Sequence, residues 1–239
     1  MAENGPGQSN ASNARAARES GYRKGDATRQ RILAVALRAF GDASYKEATT
    51  RRIAEAAGVS LPTLQYHFGD KEGLYRACAE AIVDRFRRHT QSAAAASADA
   101  MSQDGTAETA RLHLKAVIGA LAAFLVGSRD AEGWAQFVAR ELRDPGPAFE
   151  VLYDNLWRPG ILTTARLIAR ILGVPEDEPA ARIRALLLLS SLLAFQSGRS
   201  IALRTMRWST IGSAELAMVL SGLDAEIDAI GREPSQAPR

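Results

Sequence analysis

The sequence predicts an all-α fold in two parts, a small three-helix head and a larger helical domain. Apolar residues recur at spacings of three and four, as in Leu74, Cys78, Ile82 and Phe86, which is the period of one helix face. Pro145, Pro147, Pro159, Pro175 and Pro179 divide the second half into helix-length pieces, because proline lacks the N–H that a helix interior needs. No stretch shows the convincing period of two that a half-buried strand requires.

Residues 1–25 are rich in Gly, Ser, Asn and Ala, with almost no large apolar side chain, and are expected to form a disordered basic arm. Arg15, Arg18, Arg23 and Lys24 would suit a minor-groove or phosphate-tracking role there; an inert tail is the simpler reading. Asp26 or Thr28 offers an N-cap to a first helix that runs through ILAVALRAF and stops near Gly41. Ile53, Ala54 and Ala57 give a second helix its apolar face, and Gly58 supplies the left-handed residue that ends it without a Cβ clash. Ser60 caps a third helix, Leu61 to His67, with Pro62 in the first turn, where a missing N–H does no harm.

A fourth helix, from Lys71 to about Thr90, reads as a rigid connector. Residues 93–107, rich in Ala, Ser and Asp, fit a loop or a helix extension equally well. Helical segments then recur near 108–126, 131–142, 146–172, 179–204 and 213–231. The expected limits are 1–25 for the arm, 26–88 for the head, 89–231 for the helical domain and 232–239 for a disordered tail.

A helix, a glycine-marked turn and a second short helix form the arrangement that braces one helix on DNA and sets the next into the major groove. On the second of these helices, Gln65 offers a bidentate amide suited to adenine, and Thr63 a methyl suited to thymine. Tyr66 and His67 reach outward with polar tips, beside Ser60 and Pro62 at the helix start. Thr49, Thr50, Arg51, Arg52 and Lys71 lie at helix N-termini, where cations and backbone N–H groups hold phosphates. Leu64 and Phe68 read as core.

The charge supports this placement. The chain carries a net +3. Residues 22–71 hold nine cations and five acids, a net +4, so the whole excess falls on the head, where phosphate neutralisation would need it.

These residues resemble the DNA-binding domain of TetR-type transcriptional regulators over residues 27–86. The resemblance is carried by Thr49, Arg51, Ile53-Ala54, Ala57-Gly58-Val59-Ser60, Thr63-Leu64, Tyr66-His67-Phe68, Lys71-Glu72 and Leu74. Two positions depart from the pattern. Pro62 stands where a small residue is frequent and Gln65 where an aromatic is frequent, so no operator sequence carries over. A narrower resemblance, to the CecR subgroup, rests on YHFGDKEGLY, ARELRDPGPAF and WRPGILTTARLIARILG. The TetR-type resemblance implies a helical second domain with a ligand cavity and a dimer contact.

In that domain, Trp134, Phe137, Phe149, Tyr153 and Trp157 gather aromatics near the polar His113, Arg140 and Glu141, a mixture typical of small-molecule pockets. Arg140 suits an anionic ligand group or an ion pair with Glu141 or Asp144. Leu186, Leu189, Leu193, Leu216, Val219 and Leu223 give the last helices wide apolar faces, which a twofold four-helix contact between protomers would bury.

Other functions find no footing in the residues. One cysteine, Cys78, rules out an intramolecular disulfide and fits a reducing, cytoplasmic setting. No signal peptide opens the chain, and the longest apolar run, 185–195, is too short to span a bilayer. With three histidines and one cysteine there is no metal-ligand spacing, and no cofactor loop, nucleophile elbow or catalytic acid–base pair is visible.

The expectation is a homodimeric, ligand-responsive repressor, not an enzyme, whose partners are a double-stranded DNA operator and a small-molecule effector. Two alternatives remain open: a protein-interaction module with a basic head, and a DNA-binding regulator without an effector.

Overall fold

The computed structural model describes residues 7–102, 105–127 and 131–232. Among these residues the regular structure is helical, with no strand. The chain divides into two compact units, residues 1–78 and 79–239. The division falls inside a helix, ten residues before the boundary expected at 88.

The first unit begins with α1 (Gly7–Asp42). Residues 7–25, expected to be a disordered arm, are therefore helical. Ala11, Ala14, Ala16 and Ala17 among Arg15, Arg18 and Glu19 carry enough helix propensity to extend the first helix backwards. Asp26 and Thr28 consequently lie inside α1 and not at its start. Residues 1–6, and the tail beyond Arg232, lie outside the described residues.

After a turn come α2 (Thr50–Ala56) and α3 (Leu61–Phe68), and then the start of α4 (Lys71–Ser102). Ile32, Leu33, Ala36 and Phe40 of α1 are buried, together with Ile53, Leu64 and Leu74. Tyr75 completes this core, its ring edge-on to Phe40 at 4.7 Å and to Tyr45 at 4.8 Å. Cys78 is fully buried, and that burial pushes its thiol pKa well above the ordinary value. The residue is an apolar filler and not a reactive thiol.

α4 continues to Ser102, so most of the ambiguous segment 93–107 is helix extension. The second unit adds α5 (Ala107–Leu125), α6 (Ala131–Arg143), α7 (Phe149–Leu152), a π-helical turn (Tyr153–Trp157), α8 (Arg158–Leu172), α9 (Pro179–Gln196), α10 (Arg199–Met206) and α11 (Ser213–Ala229). α8 is central and packs against α5 and α9, while α11 packs on α5. Pro159 explains the π turn: it cannot donate to the Asn155 carbonyl and its ring crowds that oxygen. The preceding turn widens, and the N–H of Arg158 reaches back five residues to the Tyr153 carbonyl.

Polar links fix α5 to the C-terminal end of α11. The Arg111 guanidinium donates to the carbonyls of Ile227 and Ile230, a cation placed where a helix C-terminus favours one. Lys115 donates to Asp228 at 2.8 Å. Among the described residues, α9 alone is long and apolar enough to reach across a bilayer. Here it packs on α8 and α5.

Two outcomes follow from this packing. A Cβ on Gly73 would lie 2.2 Å from the Phe68 carbonyl oxygen, so Gly73→Ala should destabilise the first unit by about 1–3 kcal/mol in a chemical melt. An unchanged midpoint would contradict the packing described. The Lys115 hydrogen bond holds the Asp228 carboxyl below its ordinary pKa of 3.8. Its contribution is therefore present above that pH and lost as pH falls through the lowered value. Asp228→Asn should narrow the difference between urea midpoints measured above and below pH 3.8.

Candidate nucleic-acid interface and ligand cavity

The turn between α2 and α3 is built from its end groups. The N-cap residue Thr49 accepts from the Arg52 N–H at 3.4 Å. Gly58 adopts φ 63°, a conformation that costs a residue with a Cβ one or two kcal/mol more. Ser60 then caps α3, its Oγ accepting from the Thr63 N–H at 3.2 Å and lying 2.8 Å from the Thr63 hydroxyl.

These caps leave Leu64 and Phe68 facing inward and buried. Pro62, Gln65 and Tyr66 face solvent, Tyr66 with 86% of its surface exposed. Thr63 and His67 are half-buried, and the His67 ring stands edge-on to Tyr66 at 5.3 Å. Thr49, Arg51, Arg52 and Ser60 are exposed and Thr50 half-buried. Lys71 is more committed than its sequence position implies. Its Nζ donates to the Lys46 carbonyl at 3.3 Å and sits 4.8 Å from the Tyr45 ring centre, so it also braces the turn before α2.

The second unit holds a partly open cavity of about 360 Å³, within the usual range for small-molecule sites. Six helices and the π turn contribute to its wall. Trp134, Phe149, Tyr153 and Trp157 line it, as the sequence suggested. Phe149 and Tyr153 stack with ring centres 6.0 Å apart and 9° between planes. Trp157 is tilted against Phe149 at 5.4 Å.

Four expected effector residues are absent from the wall. Phe137 is fully buried in the protein, and His113 lies half-buried on α5. Arg140 does not line the cavity either. Glu141 is 1% exposed and its carboxylate accepts from the Gly146 N–H at 3.2 Å, closing the turn after α6. Glu141 thus belongs to a structural turn, because a buried carboxylate is consumed by the nearest backbone donor.

Of the residues expected at a dimer contact, some are buried within the protomer and others, such as Leu186 at 49%, stay exposed. Val219 and Leu223 are buried in the protomer's own core, with Leu216 packed against it. Leu186, Leu189 and Leu193 line the cavity. α9 and α11 are apolar on more than one side, so their periodicity does not tell which side turns inward. Cavity residues missed in the sequence include Phe86, Leu121, Ser190 and Gln196. Ser190 and Gln196 left one trace, as polar residues in and beside the apolar run of α9.

Comparison with known proteins gives this arrangement its class. Residues 32–78 match the family described as bacterial regulatory proteins, tetR family, and the chain belongs to the TetR family of DNA-binding transcriptional regulators. Residues 110–231 match the C-terminal domain of the HTH-type transcriptional dual regulator CecR, which makes the second unit a CecR-type domain. The CecR protein of Shigella flexneri is 29% identical over 217 residues, covering 89% of this chain and 95% of that protein. The repressor AcnR of Corynebacterium glutamicum is 38% identical over 84 residues, 35% of this chain and 39% of that protein. Among solved structures, Mycobacterium smegmatis AmtR superposes with a TM-score of 0.57 at 19% identity, covering 87% of each chain. A TetR-like regulator from Rhodococcus sp. RHA1 gives 0.58 at 18%, covering 84% of this chain and 96% of that one. At such identity these two share the fold.

The cap geometry yields its own test. Ser60→Ala should destabilise the first unit by about 1 kcal/mol, whereas Ser60→Asp should retain most of that stability. Equal losses in a denaturant titration would remove the cap from the account of α3.

Proposed function

We propose that the protein is a homodimeric repressor, acting in the cytoplasm, that leaves a near-palindromic operator when a small molecule enters the second unit. The observation that carries the DNA-reading part is the outward face of α3, where Gln65 and Tyr66 stand in solvent above a fully packed Leu64 and Phe68. Gln65 and Thr63 would touch base edges in the major groove. Arg51, Arg52 and the α2 and α3 N-termini would hold phosphates and fix register. The names of the relatives support repression in the corynebacterial protein and both signs of control in the Shigella one. Repression is the simpler reading for this chain.

Dimerisation is supported by apolar side chains left in solvent. Ile183 and Leu187 on α9 and Met218 on α11 are all more than half exposed. A twofold contact through α9 and α11 would cover them and place two reading helices about 34 Å apart on one face of the duplex. Ligand response is supported by the cavity, whose wall includes Phe86 of α4. α4 is the covalent continuation of the head, so a ligand that shifts Phe86 strains that helix. A coupling of roughly 1–3 kcal/mol would change operator affinity about 5- to 150-fold.

Gel shift against DNA captured by the purified protein tests the reading. Gln65→Ala should relax preference at one base position per half-site, and an unchanged preference removes Gln65 from the readout. Arg52→Ala should weaken binding to every sequence and flatten the salt dependence by about one unit of slope; a sequence-selective loss would contradict a phosphate role. Leu187→Glu should give a folded monomer in sedimentation that no longer binds the operator at the wild-type concentration. A stable dimer would move the contact elsewhere.

A further inference from the structure

We infer that the hydrogen bond between Arg87 of α4 and Asn155 of the π turn is a latch, through which the state of the cavity reaches α4. This rests on the reading of the cavity as the effector site, and names the contact that transmits its occupancy. Neither residue lines the cavity. Each stands one position from a residue that does, Arg87 beside Phe86 and Asn155 beside Leu156.

The π turn joins wall and latch. Tyr153 and Trp157, at its two ends, line the cavity, and Asn155 lies midway between them. The Arg87 guanidinium donates to Asn155 Oδ1 at 2.7 Å, and Asn155 Nδ2 donates to the Val151 carbonyl at 3.0 Å. One side of the Asn155 amide is thus tied to the helix that carries the wall aromatics, and the other to α4. On α4 the neighbouring Phe86 lines the cavity and stands edge-on to Phe124 at 5.7 Å. Phe124 in turn stacks on the lining Trp134 at 4.9 Å. Two successive residues of α4 therefore follow the cavity, one through packed rings and one through a directed bond.

Two properties suit this bond to switching. The first is slack in the turn. A π turn holds one residue more than an α turn, and rewinding it to α geometry rotates the chain before it by about 100°. A molecule that presses on Tyr153 and Trp157 has that extra residue to draw on, and a hydrogen bond fails with a much smaller movement. The second is ease of release. Arg87 is exposed, so water takes the place of Asn155 at its guanidinium when the latch opens. The Glu141 carboxylate, 1% exposed, has no such alternative to its Gly146 partner.

Operator affinity in a double-mutant cycle on the full-length protein tests this. The cavity is filled from within by Gly160→Leu, since a Cβ on this lining residue meets nothing within 4 Å, or by Leu189→Trp. Filling should weaken binding to the captured operator about fivefold or more. Adding Arg87→Met or Asn155→Leu should shrink that change by about three- to tenfold, while Asn155→Asp, which still accepts from Arg87, should keep it. An equal change with and without the latch would overturn the inference and leave the cavity as an effector site. No change on filling in any background would remove the effector reading together with the latch. Hydrogen exchange decides the matter where a filled variant does not fold. Coupling is reciprocal, so operator binding should alter exchange at the amides of residues 153–158 in the wild type and not in Arg87→Met. An equal response in both, or none in either, would overturn the latch.

Discussion

Every helix leaves backbone N–H groups unpaired at its start, and in the N-terminal unit the side chains that satisfy them also decide which residues meet solvent. Thr49 caps α2, Ser60 caps α3, and the Asp70 carboxylate accepts from the Gly73 N–H at 2.8 Å at the start of α4. Each cap fixes the rotation of its helix within the first turn. With that rotation set, Leu64 and Phe68 turn into the core of α1 and α2, and Gln65 and Tyr66 are left outward. The outward face of α3 is thus a by-product of satisfied helix ends. Tyr66 stands outward with 86% of its surface exposed.

The second unit obeys a different constraint. Its core is continuous around α5, α8, α9 and α11, but the space between α6, the π turn and α9 is left unfilled. Pro159 widens the turn that carries Tyr153 and Trp157, and Gly160 places no side chain in the gap. Beside the buried Glu141, paired charges lie away from the cavity, such as Arg166 with Glu176 at 3.2 Å and Lys115 with Asp228 at 2.8 Å. The result is a cavity with apolar, aromatic walls and very few polar atoms. Such a wall gives an ion no counter-charge for the hydration it would lose on entering.

The two units were not equally legible. Gly58, Ser60 and Pro62 announced a turn and a capped helix from the sequence, and the structure has that turn and that cap. The Leu74, Cys78 and Ile82 stripe was readable as buried for the same reason, since one helix face repeats at a fixed period. The extent of α1 was not readable, because the alanines and arginines of residues 7–25 satisfy a helix as well as a tail. In the second unit four of the cavity's aromatic residues were found and Phe86 was missed, while Arg140 and Glu141, expected beside them, do not line it. Val138 and Leu142 line the wall, while the Glu141 carboxylate turns to the Gly146 N–H in the α6–α7 connection.

What the sequence determined by itself was the helical class, the turn between α2 and α3 and which residues of α3 face outward. Caps, turns and helix periods are settled among residues three or four apart. What only the tertiary structure decided was the uncharged lining of the cavity, the contact between Arg87 and Asn155, and the burial of Val219 and Leu223. Those depend on which side of six separate helices faces inward, and no periodicity within one helix contains that information when the helix is apolar on more than one side.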